Sequence, residues 1–281
     1  MPSHELRNKL LTESKRVVVK LGTQLLTRKD GAGLDHAYLA SLASQVAQLI
    51  DEGREVTLVS SGAIGAGCAA MGLTQRPTDL SEQQAVAAVG QRGLMTAMYE
   101  AFAKHNLAVG QVLVTRTDFE DRDRFLNIRN CITKLHEMRA VAILNENDTV
   151  AVDELRFGDN DMLAAMTCNA LRADTLVLLS VVDGLLDESG QVVELVDDVL
   201  SYLSLAKQGK SQWGSGGMLS KLDAARLVMD SGELAVIANG RTPDILRRIF
   251  AGEKVGTLFM PGKRKLDSRR RWFGLTVRPI G

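Results

Sequence analysis

The chain has 281 residues, 45% of them hydrophobic, with 34 basic and 34 acidic side chains and a formal net charge of +0. This length suits one large α/β domain or two smaller ones, with a sizeable core. The balanced charge excludes an overall field that would attract nucleic acid or an anionic membrane. No apolar run is long enough to cross a bilayer, the amino terminus lacks a signal-peptide core, and the three cysteines lack metal-binding spacing. We therefore expect a cytoplasmic protein without a zinc site or disulfide framework.

Apolar runs alternate with helical patterns along the chain. A helix is predicted after Asp35, ending before Gly53, another from residues 81 to 105, and a late one from Pro243. The alternation predicts an α/β fold, a single αβα sandwich with a mostly parallel central sheet. The predicted buried strands are residues 16–20, 55–59, 109–114, 140–144, 175–179 and 234–238. The apolar face predicted for the helix at 81–105 consists of Ala85, Val89, Leu94, Met98 and Phe102.

Two early strands end in turns that suit an anion. Lys20 ends the first strand and is followed by Gly22 and Thr23, a glycine-hydroxyl turn that favours phosphate contact. The alternative is a strand-end lysine that extends to water. After the second strand, residues 60–67 are nearly all small, so a ligand could approach backbone N–H groups at a helix amino terminus. Close packing of that helix would favour the same small residues.

Two polar clusters, residues 145–148 and 158–161, follow the strand at 140–144. Ligands of open α/β sheets bind at the carboxyl ends of strands, so these clusters predict a polar ligand site. Asp159 is a plausible N-cap for the next helix and Asp161 would lie in its first turn. Helix-start chemistry alone would explain one aspartate but not both clusters. Residues 149–157 between them predict a hairpin.

The strongest glycine signal is the run at 213–218, directly before a helical pattern that contains Lys221. Such a loop can wrap phosphates, and a flexible linker is the alternative interpretation. Residues 118–125 mix both charges and predict a solvated helix start with local ion pairs. The basic residues between 263 and 271 predict a solvated terminus rather than a nucleic-acid site.

Together these motifs resemble the glutamate 5-kinase family of the amino acid kinase superfamily. The resemblance covers about residues 16–273 and implies the amino acid kinase fold. It also implies one kinase domain over residues 1–281, without the carboxyl-terminal PUA domain that many members carry. The matching segments, in family order, are residues 19–23, 60–64, Gly90-Gln91, Thr115-Arg116, 124–127, 145–148, 158–161, 216–221 and 255–259.

The resemblance implies ATP-dependent phosphorylation of the side-chain carboxylate of L-glutamate to L-glutamyl 5-phosphate, on the way to proline. Mg²⁺ would accompany ATP, and no metal site on the protein itself is implied. Lys20 and Lys221 would contact the transferring phosphoryl group, with Asp161 holding both lysines. Proline is implied as a feedback inhibitor and a homo-oligomer as the assembly, with no nucleic-acid or membrane partner. The implied glutamate-binding residues are Ser61, Gly62, Ala63, Asp148 and Asn160, and the implied nucleotide-binding residues are Lys20, Ser180, Val181, Ser215, Gly216, Gly217, Met218 and Lys221.

The sequence departs from the family pattern in the expected nucleotide region. Many members have Thr-Asp where this chain has Ser180-Val181, and tyrosine where it has Leu186. Because Val181 replaces the aspartate of the family pattern, only backbone groups and the Ser180 side chain remain there to bind the nucleotide. The competing hypotheses are another carboxylate kinase, for acetylglutamate or aspartate, and a non-catalytic amino-acid sensor. Residues 145–148 argue against the first, and the retained lysines and Asp161 argue against the second.

Overall fold

The computed structural model describes residues 3–28, 33–151, 160–202 and 217–260, with side chains from residue 5. Its eight strands form one sheet in the order β3-β4-β2-β1-β5-β7-β8-β6. The pairings are parallel except that between β7 and β8, which is antiparallel. The strands are β1 (Arg16–Leu21), β2 (Glu55–Val59), β3 (Val109–Val114), β4 (Val141–Glu146), β5 (Thr175–Ser180), β6 (Leu195–Val196), β7 (Leu234–Asn239) and β8 (Thr257–Phe259).

Helices cover both faces of this sheet. Buried side chains of α1, α2, α3, α5 and α10 pack on one face, and those of α6, α7, α8 and α9 pack on the other. The predicted αβα sandwich with a mostly parallel sheet is therefore confirmed. The helices are α1 (Ser3–Thr12), α2 (Thr23–Leu26), α3 (His36–Asp51), α4 (Ala63–Ala70), α5 (Leu80–Ala103), α6 (Arg116–Glu120), α7 (Arg122–Glu137), α8 (Asp161–Leu171), α9 (Gly217–Ser231) and α10 (Ile245–Phe250).

The six predicted strands are all present, but several details of the prediction are wrong. Ala85 and Val89 of α5 are exposed rather than buried. Helix α4 packs against the side of α5 that carries Val86 and Gly90, so Val86 is buried instead. Helix α10 begins at Ile245, after an Asp244 N-cap in the left-handed region, and not at Pro243. The strands β6 and β8 were not predicted, since runs of two or three residues carry no periodic signal.

The alternation of side chains along β1 sets up the site. Val17 and Val19 pack against the face that carries α3 and α5, whereas Val18 packs on the opposite face with α8 and α9. Successive strand residues point to opposite faces. Lys20 therefore points to the same side as Val18, toward the start of α8.

The connections on the two sides of β1 run over different faces. Helix α3 joins β1 to β2 on one face, and α8 joins β4 to β5 on the other, with β2 and β5 both next to β1. Such a reversal opens a crevice at the carboxyl ends of the strands, where open α/β sheets bind ligands. Within the described ranges, no helix is both long and apolar enough to cross a membrane.

Candidate functional site

Two lysines and one aspartate meet at the carboxyl edge of the sheet. The Nζ of Lys20 lies 2.8 Å from Oδ1 of Asp161, and the Nζ of Lys221 lies 2.9 Å from Oδ2 of the same carboxylate. The hydroxyl of Ser220 donates to this Oδ2 at 3.3 Å. Asp161 is 0% exposed, and Lys20 and Lys221 are 3% and 8% exposed. The three groups form one buried ionic centre from β1, α8 and α9.

This centre decides between the two interpretations of Lys20. Extension to water is wrong, because the side chain turns inward to a fully buried carboxylate. Removing one partner of a buried ion pair costs about 3–5 kcal/mol, since the remaining charge is left in a dry environment. Asp161 thus holds both ammonium groups in fixed positions. Fixed positive charge away from water stabilises negative charge that develops or moves during a reaction.

A second set of polar side chains links the ends of β2 and β4 to α8. The N-cap of α8 is Asn160 rather than Asp159, which lies outside the described residues with Gly158. The side chain of Asn160 does not cap the helix. Its Nδ2 donates instead to the backbone oxygen of Ser60 at 2.5 Å and to Oδ1 of Asn145 at 2.8 Å. Asn160 and Asn145 are both buried, so these bonds fix the start of α8 against the sheet.

The amino terminus of α4 lies directly after β2. Its N-cap, Gly62, has a φ of 91°, which favours glycine, and no side chain caps the helix. The hydroxyl of Ser61 is buried and has no hydrogen-bond partner among the described residues. Uncapped N–H groups and an unpaired hydroxyl together suit a carboxylate or phosphate oxygen. Ser61, Gly62 and Ala63 form this helix start, and their binding of glutamate stays a prediction.

Close packing explains part of the glycine-rich turn, and the contact is with another helix. A Cβ at Gly67 would lie 1.9 Å from the backbone oxygen of Val86. One at Gly90 would lie 1.8 Å from the oxygen of Ala63. Helices α4 and α5 thus cross backbone to backbone at Gly67 and Gly90. This contact fixes the position of the α4 amino terminus.

Asp148 lies in the turn directly after β4. The turn is tied to the neighbouring strand because the backbone N–H of Asn147 donates to the oxygen of Val114 at 2.8 Å. The side chain of Thr149 donates to Oδ1 of Asn147 at 2.6 Å. Asp148 is partly buried. The hairpin was predicted at residues 149–157, of which residues 152–157 lie outside the described ranges.

The predicted nucleotide residues fall at the ends of β5 and the start of α9. Ser180 ends β5 and Val181 follows it, both partly buried. Gly217 begins α9 with a φ of 47°, and the Nζ of Lys221 donates to its backbone oxygen at 3.5 Å. Met218 follows and is partly buried. Ser215 and Gly216 lie outside the described residues, as do residues 213–214 and the basic residues between 263 and 271.

Several contacts at this edge were missed by the sequence analysis. Ser220 contacts Asp161, and Gln91 of α5 accepts a hydrogen bond from Nδ2 of Asn145 at 2.7 Å. Nδ2 of Asn239, at the end of β7, donates to Oδ1 of Asp183 at 2.8 Å and so joins the turns after β5 and β7. Asn239 directly follows the strand predicted at residues 234–238 and was given no role. Because these contacts are tertiary, no local spacing could have indicated them.

Comparison with known proteins gives sequence relatives over nearly the whole chain. Residues 15–239 match the amino acid kinase family. A glutamate 5-kinase from Geobacter sp. (strain M21) is 43% identical over 98% of this chain and 76% of the relative. A glutamate 5-kinase from Chromohalobacter salexigens is 45% identical over 93% of this chain and 71% of the relative.

Solved structures with much lower sequence identity share the fold. UMP kinase from Bacillus anthracis superposes with a TM-score of 0.60 at 18% identity, covering 88% of this chain and 96% of that one. N-acetylglutamate synthase from Neisseria gonorrhoeae, complexed with coenzyme A and N-acetyl-glutamate, gives a TM-score of 0.66 at 14% identity. That match covers 93% of this chain and 64% of the synthase.

Proposed function

Since the chain belongs to the amino acid kinase family and, within it, to the glutamate 5-kinases, we propose that its buried Lys20, Asp161 and Lys221 carry out phosphoryl transfer from ATP to glutamate. The reaction is ATP-dependent phosphorylation of the side-chain carboxylate of L-glutamate, giving L-glutamyl 5-phosphate in the first step of proline biosynthesis. The observation that carries the assignment of roles is the pairing of both lysines with one fully buried carboxylate.

The chemistry fits this centre because the nucleophile is already ionised. A carboxylate needs no general base, and a loose phosphoryl-transfer transition state needs positioned positive charge. Lys20 and Lys221 supply that charge next to the strand ends where the two substrates meet. Asp161 is a positioning residue, since its carboxylate holds both ammonium groups at 2.8 and 2.9 Å. The alternatives, an acetylglutamate or aspartate kinase or a non-catalytic sensor, are not favoured by the relatives.

Glutamate binding is assigned to the neighbouring polar groups. The Ser61 hydroxyl and the N–H groups at Gly62 and Ala63 would donate to a substrate carboxylate. Asp148 would pair with the substrate ammonium. Asn160 would present its side-chain oxygen, because both of its N–H groups are used within the protein.

ATP would enter with Mg²⁺ bound to its phosphates. Among the described residues, no group of three or more His, Cys, Asp or Glu side chains could hold a metal ion. Mg²⁺ is usually bound by substrate phosphates and water rather than by an all-protein cage, so MgATP is written here as the substrate. Ser180, Val181, Gly217 and Met218 would contact the nucleotide, together with Ser215 and Gly216.

The assay that tests this function traps the product. Purified protein is incubated with ATP, Mg²⁺, hydroxylamine and one candidate amino acid, and the hydroxamate formed from an acyl phosphate is measured. We expect signal with glutamate and none with acetylglutamate or aspartate. An absence of signal with all three amino acids would refute the kinase activity. Signal with acetylglutamate alone would refute glutamate as the substrate.

A pair of lysine variants tests the site within the same assay. Lys20→Met should abolish the hydroxamate signal while the protein stays folded. Lys134→Met is the matched control, because the side chain of Lys134 is 66% exposed and pairs only with Glu137 on the same helix in the described contacts. Equal activity of the two variants would show that Lys20 has no part in transfer.

Further proposals follow from the family and stay predictions. We propose one kinase domain over the whole chain, because the strands at 257–259 and 195–196 belong to the same sheet as β1. We propose a homo-oligomer in the cytoplasm, without nucleic-acid partners. We propose proline as a feedback inhibitor that overlaps the glutamate site, since it shares the α-ammonium and α-carboxylate. Inhibition that saturating glutamate cannot reverse would contradict a shared site.

A further candidate region for the proline site is the charged and aromatic segment at 118–125, but Asp118 and Arg124 are already paired there. Asp118 accepts hydrogen bonds from the backbone N–H of Thr115 at 2.6 Å and from Arg124 at 2.8 Å. Phe119 is 0% exposed within the core. The prediction of a helix start with local ion pairs is confirmed by these contacts. Ser61 and Asp148 are therefore the better candidates for holding proline.

A further inference from the structure

Three side-chain amides form a chain of hydrogen bonds behind the α4 amino terminus. Nδ2 of Asn160 donates to Oδ1 of Asn145 at 2.8 Å, and Nδ2 of Asn145 donates to Oε1 of Gln91 at 2.7 Å. The last atom of this amide relay, Nε2 of Gln91, is buried and has no hydrogen-bond partner among the described residues. A buried donor without an acceptor is costly, so its presence in a native fold needs an explanation.

A backbone carbonyl fixes the orientation of every amide in the relay. The oxygen of Ser60 can only accept, so the atom of Asn160 that lies 2.5 Å from it must be the NH₂ group. That NH₂ group also faces Asn145, which must present its oxygen there. The NH₂ group of Asn145 then faces Gln91, so the atom of Gln91 that accepts this hydrogen bond must be Oε1. The free atom of Gln91 is therefore a donor, and a reversed amide would place two donors or two acceptors face to face.

Gln91 belongs to α5, the helix that packs against α4, whose amino terminus is the proposed carboxylate site. Its neighbour Gly90 is packed against the first turn of α4, where a Cβ would lie 1.8 Å from the backbone oxygen of Ala63. The unpaired donor of Gln91 and the unpaired hydroxyl of Ser61 thus belong to the same end of the sheet, next to the uncapped helix terminus. Ser61 follows β2, and Gln91 bonds to Asn145 on β4, the strand paired with β2, so one ligand at this end of the sheet suits both orphaned groups.

We propose that Gln91 is a substrate-binding residue whose side-chain Nε2 donates to the α-carboxylate of glutamate. This inference rests on the proposed function of the site. The reacting side-chain carboxylate must lie near Lys20 and Lys221, which pair with Asp161, the residue after Asn160. Gln91 is at the opposite end of the relay from Asn160. The group that reaches Gln91 is therefore the far end of the amino acid.

The relay also gives the site a direction. At one end Asn160 has only an oxygen left for the substrate, which accepts from an ammonium group. At the other end Gln91 has only N–H left, which donates to a carboxylate. The donor end of the relay is therefore the one that suits the α-carboxylate.

The test uses two substitutions with opposite electrostatic consequences. Gln91→Met removes the donor together with the acceptor for Asn145, whereas Gln91→Glu keeps the shape and the acceptor for Asn145 but turns the donor into a carboxylate oxygen. The controls are Gln83→Met and Gln83→Glu, on the same helix, where Gln83 contacts only Arg76 and Thr78 in the described side-chain hydrogen bonds. Steady-state kcat and the KM for glutamate are measured with saturating MgATP, together with the thermal midpoint.

We expect Gln91→Met to raise the KM for glutamate about 10- to 100-fold, the range for a hydrogen bond to a charged group. The kcat should stay within about threefold, because the contact is made equally in the ground and transition states. Gln91→Glu should raise the KM further than Gln91→Met, because two carboxylates then face each other. Both control variants should keep the wild-type KM.

Three results would overturn the proposal. A KM for Gln91→Met within about twofold of wild type would show that Nε2 does not contact glutamate. A lower KM in Gln91→Glu would place the substrate ammonium there instead. A fall in kcat and thermal midpoint with unchanged KM would make Gln91 structural, and if Gln91→Met does not fold, the near-isosteric Gln91→Glu carries the same test. Absence of glutamate-dependent activity in the wild-type protein would refute the proposed function itself, independently of Gln91.

Discussion

Replacing Gly90 by alanine should separate helices α4 and α5. The added Cβ would lie 1.8 Å from the backbone oxygen of Ala63 and 2.3 Å from the backbone nitrogen of Gly67. Both are main-chain atoms, so no side-chain rotation relieves the overlap, and α4 must move by roughly 1.5 Å to restore van der Waals contact. Overpacking of this kind costs about 1–3 kcal/mol of folding free energy. We expect the displaced α4 terminus also to raise the KM for glutamate about tenfold or more, since a 1 Å misplacement can cost that much.

Gly93, less than one turn further along the same helix, provides the matched control. A Cβ there has no atom within 4 Å, so Gly93→Ala should stabilise the helix by about 0.5–1 kcal/mol. The assay is the thermal midpoint of both variants, where about 2–4 °C corresponds to 1 kcal/mol in a chain of about this size, followed by the KM for glutamate. If Gly90→Ala matches Gly93→Ala in midpoint and KM, the close crossing of α4 and α5 does not exist in solution.

Three other changes should give separable results. Lys221→Ala should lower kcat by about two orders of magnitude and leave the glutamate KM within a few-fold, because its charge acts in the transition state; a normal kcat with a raised KM would contradict this. Asp148→Asn should weaken glutamate binding by roughly 2–4 kcal/mol in a folded protein, and an unchanged KM would make Asp148 structural. Burial lowers the pKa of His136 below its ordinary value of 6.5, despite nearby Glu55. The unfolded chain therefore takes up this proton first, and the free energy of unfolding should fall as pH drops below about 6.5. Urea midpoints at pH 7.5 and 5.5 should show less of this loss in His136→Gln, with His105→Gln as control; an identical loss in all three proteins would contradict it.

The sheet was predictable from the sequence because each central strand is an apolar run that is buried on both faces. Lys20 was predictable as an exception to that rule, and its partner Asp161 came from a separate polar cluster. The buried face of α5 was not predictable at its amino-terminal half. In that half α5 contacts α4 through Gly90. A glycine adds nothing to a hydrophobic pattern, so the pattern could not indicate this buried side.

The polar contacts inside the site were the least predictable part. Asn160 looked like part of a helix start, where a side chain usually caps its own helix. In the fold its amide bonds to Ser60 and Asn145 instead, because the sheet places their oxygens within reach. Gln91 was visible only as one residue of a matching segment. A hydrogen-bond chain between three elements depends on their packing, which no single stretch of sequence describes.

The buried ionic centre has a consequence for how activity first appears during synthesis. Lys20 lies in β1, whereas Lys221 lies in α9, the last long helix among the described residues, and both need Asp161 from the middle of the chain. A nascent chain that has released only its first five strands can complete much of the sheet, yet it cannot contain both ammonium groups. Phosphoryl transfer should therefore begin only after α9 has left the ribosome and docked on the sheet. Activity therefore requires that distant parts of the chain have packed together. A fragment that ends before α9 would be inactive even if it folded.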